Sequence, residues 1–342
     1  MPQSYRFTQP NNSFYEEPLT PSTQLLVDEA ISQGYEVNIP VDARLIVLSK
    51  NGRSAMVQAQ TTEATSYIGY YATEDKGVGR ALLQAAGLQI PRGFVVRAGQ
   101  SKTVWLDAFQ TLTKPIVVKP THGTQGQKVF MNIVSEVEFT EAVATCFDQA
   151  VGEGPGVVIE EQFAGQEYRV IATKSEALAV MYRMPANVVG DGVHTIQELI
   201  DIKNSDPRRS DHETGVLVKI KINEVVLSYL NGQQLSLTSI IEKDRRVFLR
   251  SNSNISTGGD SIDMTDEAHS SVKELAVRAI NAIPGLAYAG VDFMSTDITS
   301  EQNQQTYRII ELNKSPGFSI HEQPYQGKPR HISKALLHLL FP

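Results

Sequence analysis

Three short, almost unbroken apolar runs constrain this chain more than any other feature: residues 115–118, 156–159 and 287–291. Runs of that length without polar alternation read as strands covered on both faces. Helices packed over a sheet supply such cover. Helix-period patterns lie around these runs, at 24–33, 76–87, 139–149, 195–203, 265–282 and 331–340, with Gly87 as a C-terminal stop. The alternation predicts an α/β (α+β) protein. Each apolar run leads directly into a charged residue: Lys119, Glu160 and Asp292. Strand ends and the loops beside them are where binding groups collect.

Local signals fill in the rest. Asn51-Gly52, between strands at 45–48 and 55–58, is a strong two-residue hairpin turn. A second hairpin joins 167–173 to 177–183. Residues 61–71 read as a polar connection and the first twenty as a loose polar arm. Segment 184–250 is less regular, and its Arg208-Arg209 pair reads as a solvated loop, with a substrate-carboxylate site as the alternative.

The length of 342 residues allows about two domains. Lys+Arg total 31 against 38 Asp+Glu, so 31 − 38 gives a net charge of −7, which argues against a broad nucleic-acid surface. The sole cysteine, Cys146, makes no internal disulfide and reads as a packing residue, so a cytoplasmic, reducing setting is expected. No apolar run approaches the ~18 residues of a membrane helix, and the N-terminal stretch lacks the apolar core of a secretory signal.

Asp292, Glu311 and Asn313 are the most informative set. Alternation along a strand puts Glu311 and Asn313 on one face. The polar stretch 295–306 reads as the loop of an antiparallel hairpin, and symmetric pairing about it places Asp292 opposite Glu311. Two carboxylates and an amide oxygen are hard ligands of the kind that suit Mg²⁺, whose shell substrate phosphates complete. An acidic pair alone would be an ordinary solvated edge. The Lys314-Ser315-Pro316-Gly317 turn that follows tips the balance toward a site.

Beyond Lys119 comes a small polar loop at 121–127 with His122, Gly123, Thr124, Gln125 and Gly126. Glycines let backbone N–H groups approach phosphate oxygens, and a lysine adds charge to the same anion. Gly-Lys-Ser/Thr is absent, so this is no Walker A loop. Alone it is an ordinary two-glycine turn. Glu160, Glu161, Gln162 and Phe163 close the next strand, and Glu167 follows four residues after Phe163. Such a hinge can bond an adenine edge, and Glu167 can accept from ribose hydroxyls. Alone it is an exposed acidic strand end.

In this order the pieces resemble the ATP-grasp superfamily of carboxylate–amine ligases. The resemblance is strongest to the glutathione synthetase half of bifunctional glutamate–cysteine ligase/glutathione synthetases, with cyanophycin synthetase as a cousin. It runs through 23–26, 114–120, 158–169, 183–192, 251–263, 290–292 and 311–317. The segments Pro-Ala-Asn-Val-Val-Gly-Asp-Gly at 185–192 and Asn-Ser-Asn-Ile-Ser-Thr-Gly-Gly-Asp at 252–260 are specific to that branch.

The resemblance implies an ATP-grasp fold. Its parts are an N-terminal α/β pre-ATP-grasp domain at 1–75, a small lid subdomain at 76–165 and a C-terminal catalytic sheet subdomain at 166–342. A substrate-specificity region is inserted at about 184–250. The resemblance also implies that Lys76 and Lys119 contact ATP phosphates and that the loop bearing His122, Gly123, Thr124, Gln125 and Gly126 closes over them. Glu160, Glu161 and Phe163 would form the adenine hinge, with Glu167 on the ribose. Asp292, Glu311 and Asn313 would hold two Mg²⁺ ions, with Mn²⁺ as a substitute. Related D-alanine ligases carry an arginine two residues before the first magnesium aspartate. Here that position is Gly290, so Arg250 or Arg183 must supply the charge. The large glutamate–cysteine ligase module has no counterpart here, and a stand-alone ligase is expected; many relatives are homodimers, but nothing in this sequence fixes a symmetric interface.

The implied chemistry is phosphorylation of a small carboxylate by ATP, then attack of an amine on the acylphosphate. Lys119, Arg250 and Arg183 would neutralise charge, and backbone donors at Gly258 and Gly259 would face the oxyanion. The substrates are amino acids or short peptides, with γ-glutamylcysteine and glycine leading. The alternatives are a ligase for other amino acids or dipeptides, and an ATP-grasp small-molecule kinase. A nucleotide-binding protein without catalysis ranks last, because the metal triad is intact.

Overall fold

The computed structural model describes residues 4–8, 14–39, 45–123, 128–148, 156–211 and 215–342. The chain divides into two compact units, each assembled from separated stretches. One comprises Met1–Glu63, Leu178–Thr265 and Ser315–Pro342; the other comprises Ala64–Ala177 and Asp266–Lys314.

In the second unit, strand Ile116–Pro120 is buried at every position, as its apolar sequence requires. It pairs with Gly156–Glu161 and Phe130–Ile133, and Gly93–Arg97 completes a four-stranded antiparallel sheet. Helices Lys102–Thr111 and Glu136–Asp148 pack against this sheet. Val96, Phe109, Ile116, Val118, Phe139, Val157 and Ile159 merge into one core. The Phe109 and Phe139 rings lie 4.9 Å apart. Cys146 is buried in the same core, its Sγ 3.8 Å from the Lys128 carbonyl. Burial pushes the thiol up to about 11, which suits packing and not nucleophilic chemistry. Three further antiparallel strands stand in the order Gln166–Thr173, Tyr288–Ser295, Tyr307–Asn313. Helix Ser270–Ala282 packs on the first two.

In the first unit, Glu36–Asn38, Leu45–Lys50, Arg53–Gln58 and Thr61–Thr62 form an antiparallel meander. Asn51 (φ 52°) and Gly52 (φ 77°) are both left-handed, the two-residue turn that their sequence predicts. Helix Pro21–Ser32 packs on the C-terminal helix Ile332–Leu340. Within 184–250 a small core of its own forms from Ala186, Val188, Ile196, Val226, Leu230 and Val247. Thr195 and Glu198 cap helix Ile196–Asn204 reciprocally.

Several sequence expectations need correction. The first twenty residues are not a loose arm, since Ser4–Thr8 and Phe14–Pro18 pair as antiparallel strands. Tyr5, Phe7, Phe14 and Tyr15 are strand formers that a polar average conceals. The connection at 61–71 contains the start of helix Tyr67–Glu74, capped by Ser66, whose Oγ accepts from Gly69 N–H at 3.1 Å. A capping serine reads as loop when only polarity is counted. The helix expected from 265 begins at Ser270, because His269 Nδ1 caps it by accepting from Ser271 N–H at 3.2 Å. Helix Lys102–Thr111 occupies a stretch where the apolar pattern predicts no element.

The helix that carries Lys76, Lys76–Ala85, starts at a strong cap. Asp75 Oδ1 accepts from Gly77 N–H at 2.7 Å and Val78 N–H at 3.2 Å, and Oδ2 pairs with Arg97 at 2.9 Å. Burial opposes ionisation of Asp75, but Arg97 and the two N–H groups outweigh it and hold its pKa below the usual carboxylate value. Asp75→Ala is expected to cost about 1–2 kcal/mol of unfolding free energy in urea titration. A group whose folded pKa is lowered stabilises above its unfolded pKa and loses that contribution as pH falls through the folded value. The wild-type advantage over Asp75→Ala should therefore be full above about pH 4 and shrink below it. Phe139→Ala, in the sheet core, should cost about 3–5 kcal/mol in the same measurement.

Candidate active site

The nucleotide side of the site grows from two neighbouring strands. Lys119 lies opposite Val158, and Glu160 lies opposite Val117, so their side chains are diagonal neighbours on one face. Lys119 Nζ sits 2.6 Å from Glu160 Oε1, and both side chains are buried. The other Glu160 oxygen takes the Arg80 guanidinium, which also donates to the Pro91 carbonyl at 2.7 Å. Two cations against one carboxylate leave one positive charge in excess. The sequence reading missed Arg80. It lies one helical turn beyond Lys76, and an arginine on the buried side of a helix was the available signal.

The other hinge residues have defined partners too. Glu161 Oε1 accepts from Thr113 N–H at 3.0 Å and lies 3.4 Å from Arg92. The Phe163 ring lies under Arg308, 4.8 Å from centroid to guanidinium.

Lys76 ties the stretch 121–123 to Glu311. Its N–H donates to the Thr121 carbonyl at 2.9 Å, and its Nζ donates to the Gly123 carbonyl at 2.7 Å. The same Nζ is 3.4 Å from Glu311 Oε2. Lys76, Arg80 and Glu311 line one small cavity. His122 Nδ1 lies 3.1 Å from Thr121 Oγ1. Thr124, Gln125 and Gly126 lie outside the described residues.

Among the candidate metal ligands, Asp292 faces Glu311 across the hairpin, the register that symmetric pairing predicts. Asn313 lies two residues on, on the face of Glu311 and opposite Gly290. A β-bulge follows: Phe293 pairs with Ile309, so Ile310 is the extra residue. Across the other edge, Arg169 lies opposite Asp292. Its Nε donates to Asp292 Oδ1 and its NH2 to Oδ2 at 3.1 Å, a two-pronged buried pair. Glu167 shares the face of Arg169 by alternation. Burial opposes the Arg169 charge, but Asp292, Glu167 and Glu311 together raise its pKa above the ordinary value.

Arg169 is the second residue that the sequence reading missed. It lies one strand away from Asp292, which only the pairing of Gln166–Thr173 with Tyr288–Ser295 reveals. Lys314 follows the triad, pairs with Glu74 and lies over the Tyr70 ring at 4.1 Å.

The remaining candidates belong to the first unit. Arg183 lies opposite Ser261 in strand Ala177–Met184. Arg250 donates to Asn223 Oδ1 at 3.1 Å. Gly258 is left-handed (φ 99°), and its N–H donates to the Ile255 carbonyl at 3.1 Å. A Cβ at Gly258 would lie 2.8 Å from the Ile220 backbone, and one at Gly259 would lie 2.7 Å from the Met184 carbonyl. Close packing alone therefore demands both glycines. The expected solvated loop at Arg208-Arg209 is corrected. The Arg209 side chain is fully buried on Asp260, which also takes Lys203 Nζ at 2.6 Å and Asn187 Nδ2 at 2.9 Å. A single buried carboxylate draws these cations inward, which a local sequence pattern does not disclose.

A family model described as an ATP-grasp domain matches residues 200–316. The chain is 34% identical, over 99% of its length, to the glutathione biosynthesis bifunctional protein GshAB of Enterococcus faecalis. It is 37% identical, over 95% of its length, to a cyanophycin synthetase of Crocosphaera subtropica. It covers 45% and 37% of those two proteins, less than half of each. A solved bifunctional glutathione synthetase from Pasteurella multocida matches with a TM-score of 0.74 and 34% identity, over 95% of this chain and 44% of that one. Among the described residues no helix is long and apolar enough to cross a membrane. With that architecture and these relatives along nearly its whole length, the chain carries a match to the ATP-grasp domain and is similar in sequence and fold to ATP-grasp ligases.

Proposed function

We propose that this chain is an ATP-dependent carboxylate–amine ligase that works through an acylphosphate, with γ-glutamylcysteine and glycine as the leading substrate pair. The observation that carries the reading is the shared face of Asp292, Glu311 and Asn313, with Lys76 3.4 Å from Glu311. Hard oxygen donors and a lysine thus meet beside a phosphate-type loop. The donor set fits Mg²⁺, with Mn²⁺ as a substitute. Held there by Asp292, Glu311 and Asn313, the metal would supply charge neutralisation to the phosphates.

A carboxylate resists attack by an amine until an oxygen is made a leaving group. The substrate carboxylate attacks the γ-phosphate of ATP, ADP departs, and the acylphosphate then takes the amine while phosphate leaves. Phosphoryl transfer depends on positioning and charge more than on covalent help from the protein. Lys76 is held by the Gly123 carbonyl, where it can meet phosphate oxygens. Lys119 is fixed by Glu160, and the excess positive charge of the Arg80–Glu160–Lys119 group draws the polyanion. Phe163 supplies an apolar surface to the base, and Glu167 accepts from ribose hydroxyls. Arg183, Arg250 and Gly259 keep the roles that the resemblance gives them, as charge and N–H donors to the acyl group in the second step. Gly258 N–H is committed to Ile255 and contributes conformation.

One observation favours a second substrate reading. Identity to the cyanophycin synthetase, at 37%, is as high as the 34% to the glutathione protein. The same chemistry on another amino acid or peptide pair is therefore the alternative.

Asp292→Ala and Glu311→Ala should each lower ADP formation by at least about a hundredfold, with an unchanged circular dichroism spectrum. Undiminished turnover in both would overturn the metal assignment. A phosphate-release screen of amino-acid and peptide pairs should give its largest signal with γ-glutamylcysteine plus glycine. A signal only with other pairs rejects that pair and keeps the ligase. ADP formation that needs no amine and yields no amide would point to a kinase.

A further inference from the structure

Asp292 cannot offer a metal what the Arg169 fork already holds. Both carboxylate oxygens accept from one guanidinium, and the pair is buried, with side-chain exposures of 10% and 7%. Strand pairing sets the two side chains next to each other, because Arg169 and Asp292 are direct cross-strand partners. Around them the charges are uneven. Asp292, Glu311 and Glu167 bring three negative charges, and Arg169 and Lys76 bring two positive ones. A divalent ion added here meets a guanidinium at contact range in a poorly solvated place.

We propose that Arg169 is a positioning residue that couples metal uptake to nucleotide: its guanidinium occupies Asp292 and yields it when a divalent ion arrives together with phosphates that accept the released cation. This rests on the ligase reading above, and it adds a thermodynamic order to it. Metal alone must displace a buried ion pair and leave Arg169 without its fork acceptor. Metal with a polyphosphate gives that guanidinium new oxygens, so each ligand strengthens the other reciprocally.

The test uses the full chain. Mn²⁺ alone is titrated and its free-ion electron paramagnetic resonance signal followed. The affinity of a non-hydrolysable ATP analogue is then measured by calorimetry at zero and at saturating Mn²⁺. In the wild type, Mn²⁺ alone binds weakly and tightens the analogue by about tenfold or more. In Arg169→Gln, Mn²⁺ alone should bind about tenfold tighter, and its effect on the analogue should shrink by a similar factor. Arg169→Lys keeps the charge and loses the fork, so its Mn²⁺ affinity should fall between the two. This variant carries the test if the glutamine variant fails to fold. A merely structural ion pair would leave Mn²⁺ affinity unchanged or weaken it in both variants, and either result overturns the proposal. The metal assignment on which this rests fails separately, if Asp292→Ala leaves the effect of Mn²⁺ on the analogue intact.

Discussion

The cross-strand pairing of Tyr288–Ser295 with its two neighbours is the constraint on which the candidate metal site depends. One register brings Asp292 opposite Glu311, and the other brings Arg169 opposite Asp292. Because strand side chains alternate, a shift of one residue at either seam would send a charged group into the apolar core. The core fixes those registers in turn. Val291 and Phe293 flank Asp292 and are fully buried, and Phe293 stacks on Tyr307 at 5.2 Å. Hydrophobic burial, which is non-directional, thereby fixes the placement of charges, which is highly directional.

Both units contain a carboxylate buried among several cations: Glu160 with Arg80 and Lys119, and Asp260 with Arg209 and Lys203. Taking charges out of water is expensive, and pairing at best offsets the cost. Such groups seldom add net stability. They make one arrangement far better than its alternatives, since removing the shared carboxylate strands buried cations at about 3–5 kcal/mol. Glu160 and Lys119 on neighbouring strands therefore act as a register lock, and the site inherits that rigidity.

Much of this was legible in the sequence. The apolar runs at 115–118 and 156–159 gave away the buried strands, and Asn51-Gly52 gave away its hairpin, because each depends on neighbours in sequence. The opposition of Asp292 and Glu311 was legible too, since a hairpin maps sequence symmetry onto space. Arg169 and Arg80 were not. Their partners are 123 and 80 residues away, and nothing local marks such a pairing. Arg209 was misread for the same reason, since its acceptor Asp260 lies 51 residues on. Capping residues such as Ser66 were lost to a different cause, because a group that satisfies the backbone is as polar as one that faces solvent.

The bulge at Ile310 has a consequence for how the protein tolerates change. It resets the phase of strand Tyr307–Asn313 between the aromatic stack at Phe293–Tyr307 and the carboxylates at Asp292–Glu311. The hairpin loop that starts after Ser295 therefore does not set where the carboxylates face. Within that loop Ile298 and Gln302 are buried, but the exposed residues 303–305 can take an insertion while the carboxylates stay in place. Deleting Ile310 itself would instead force a choice between aromatic stack and carboxylate pair, because one unbulged strand cannot keep both in register. The loop is thus a site for drift and engineering, and the single extra residue behind it is not.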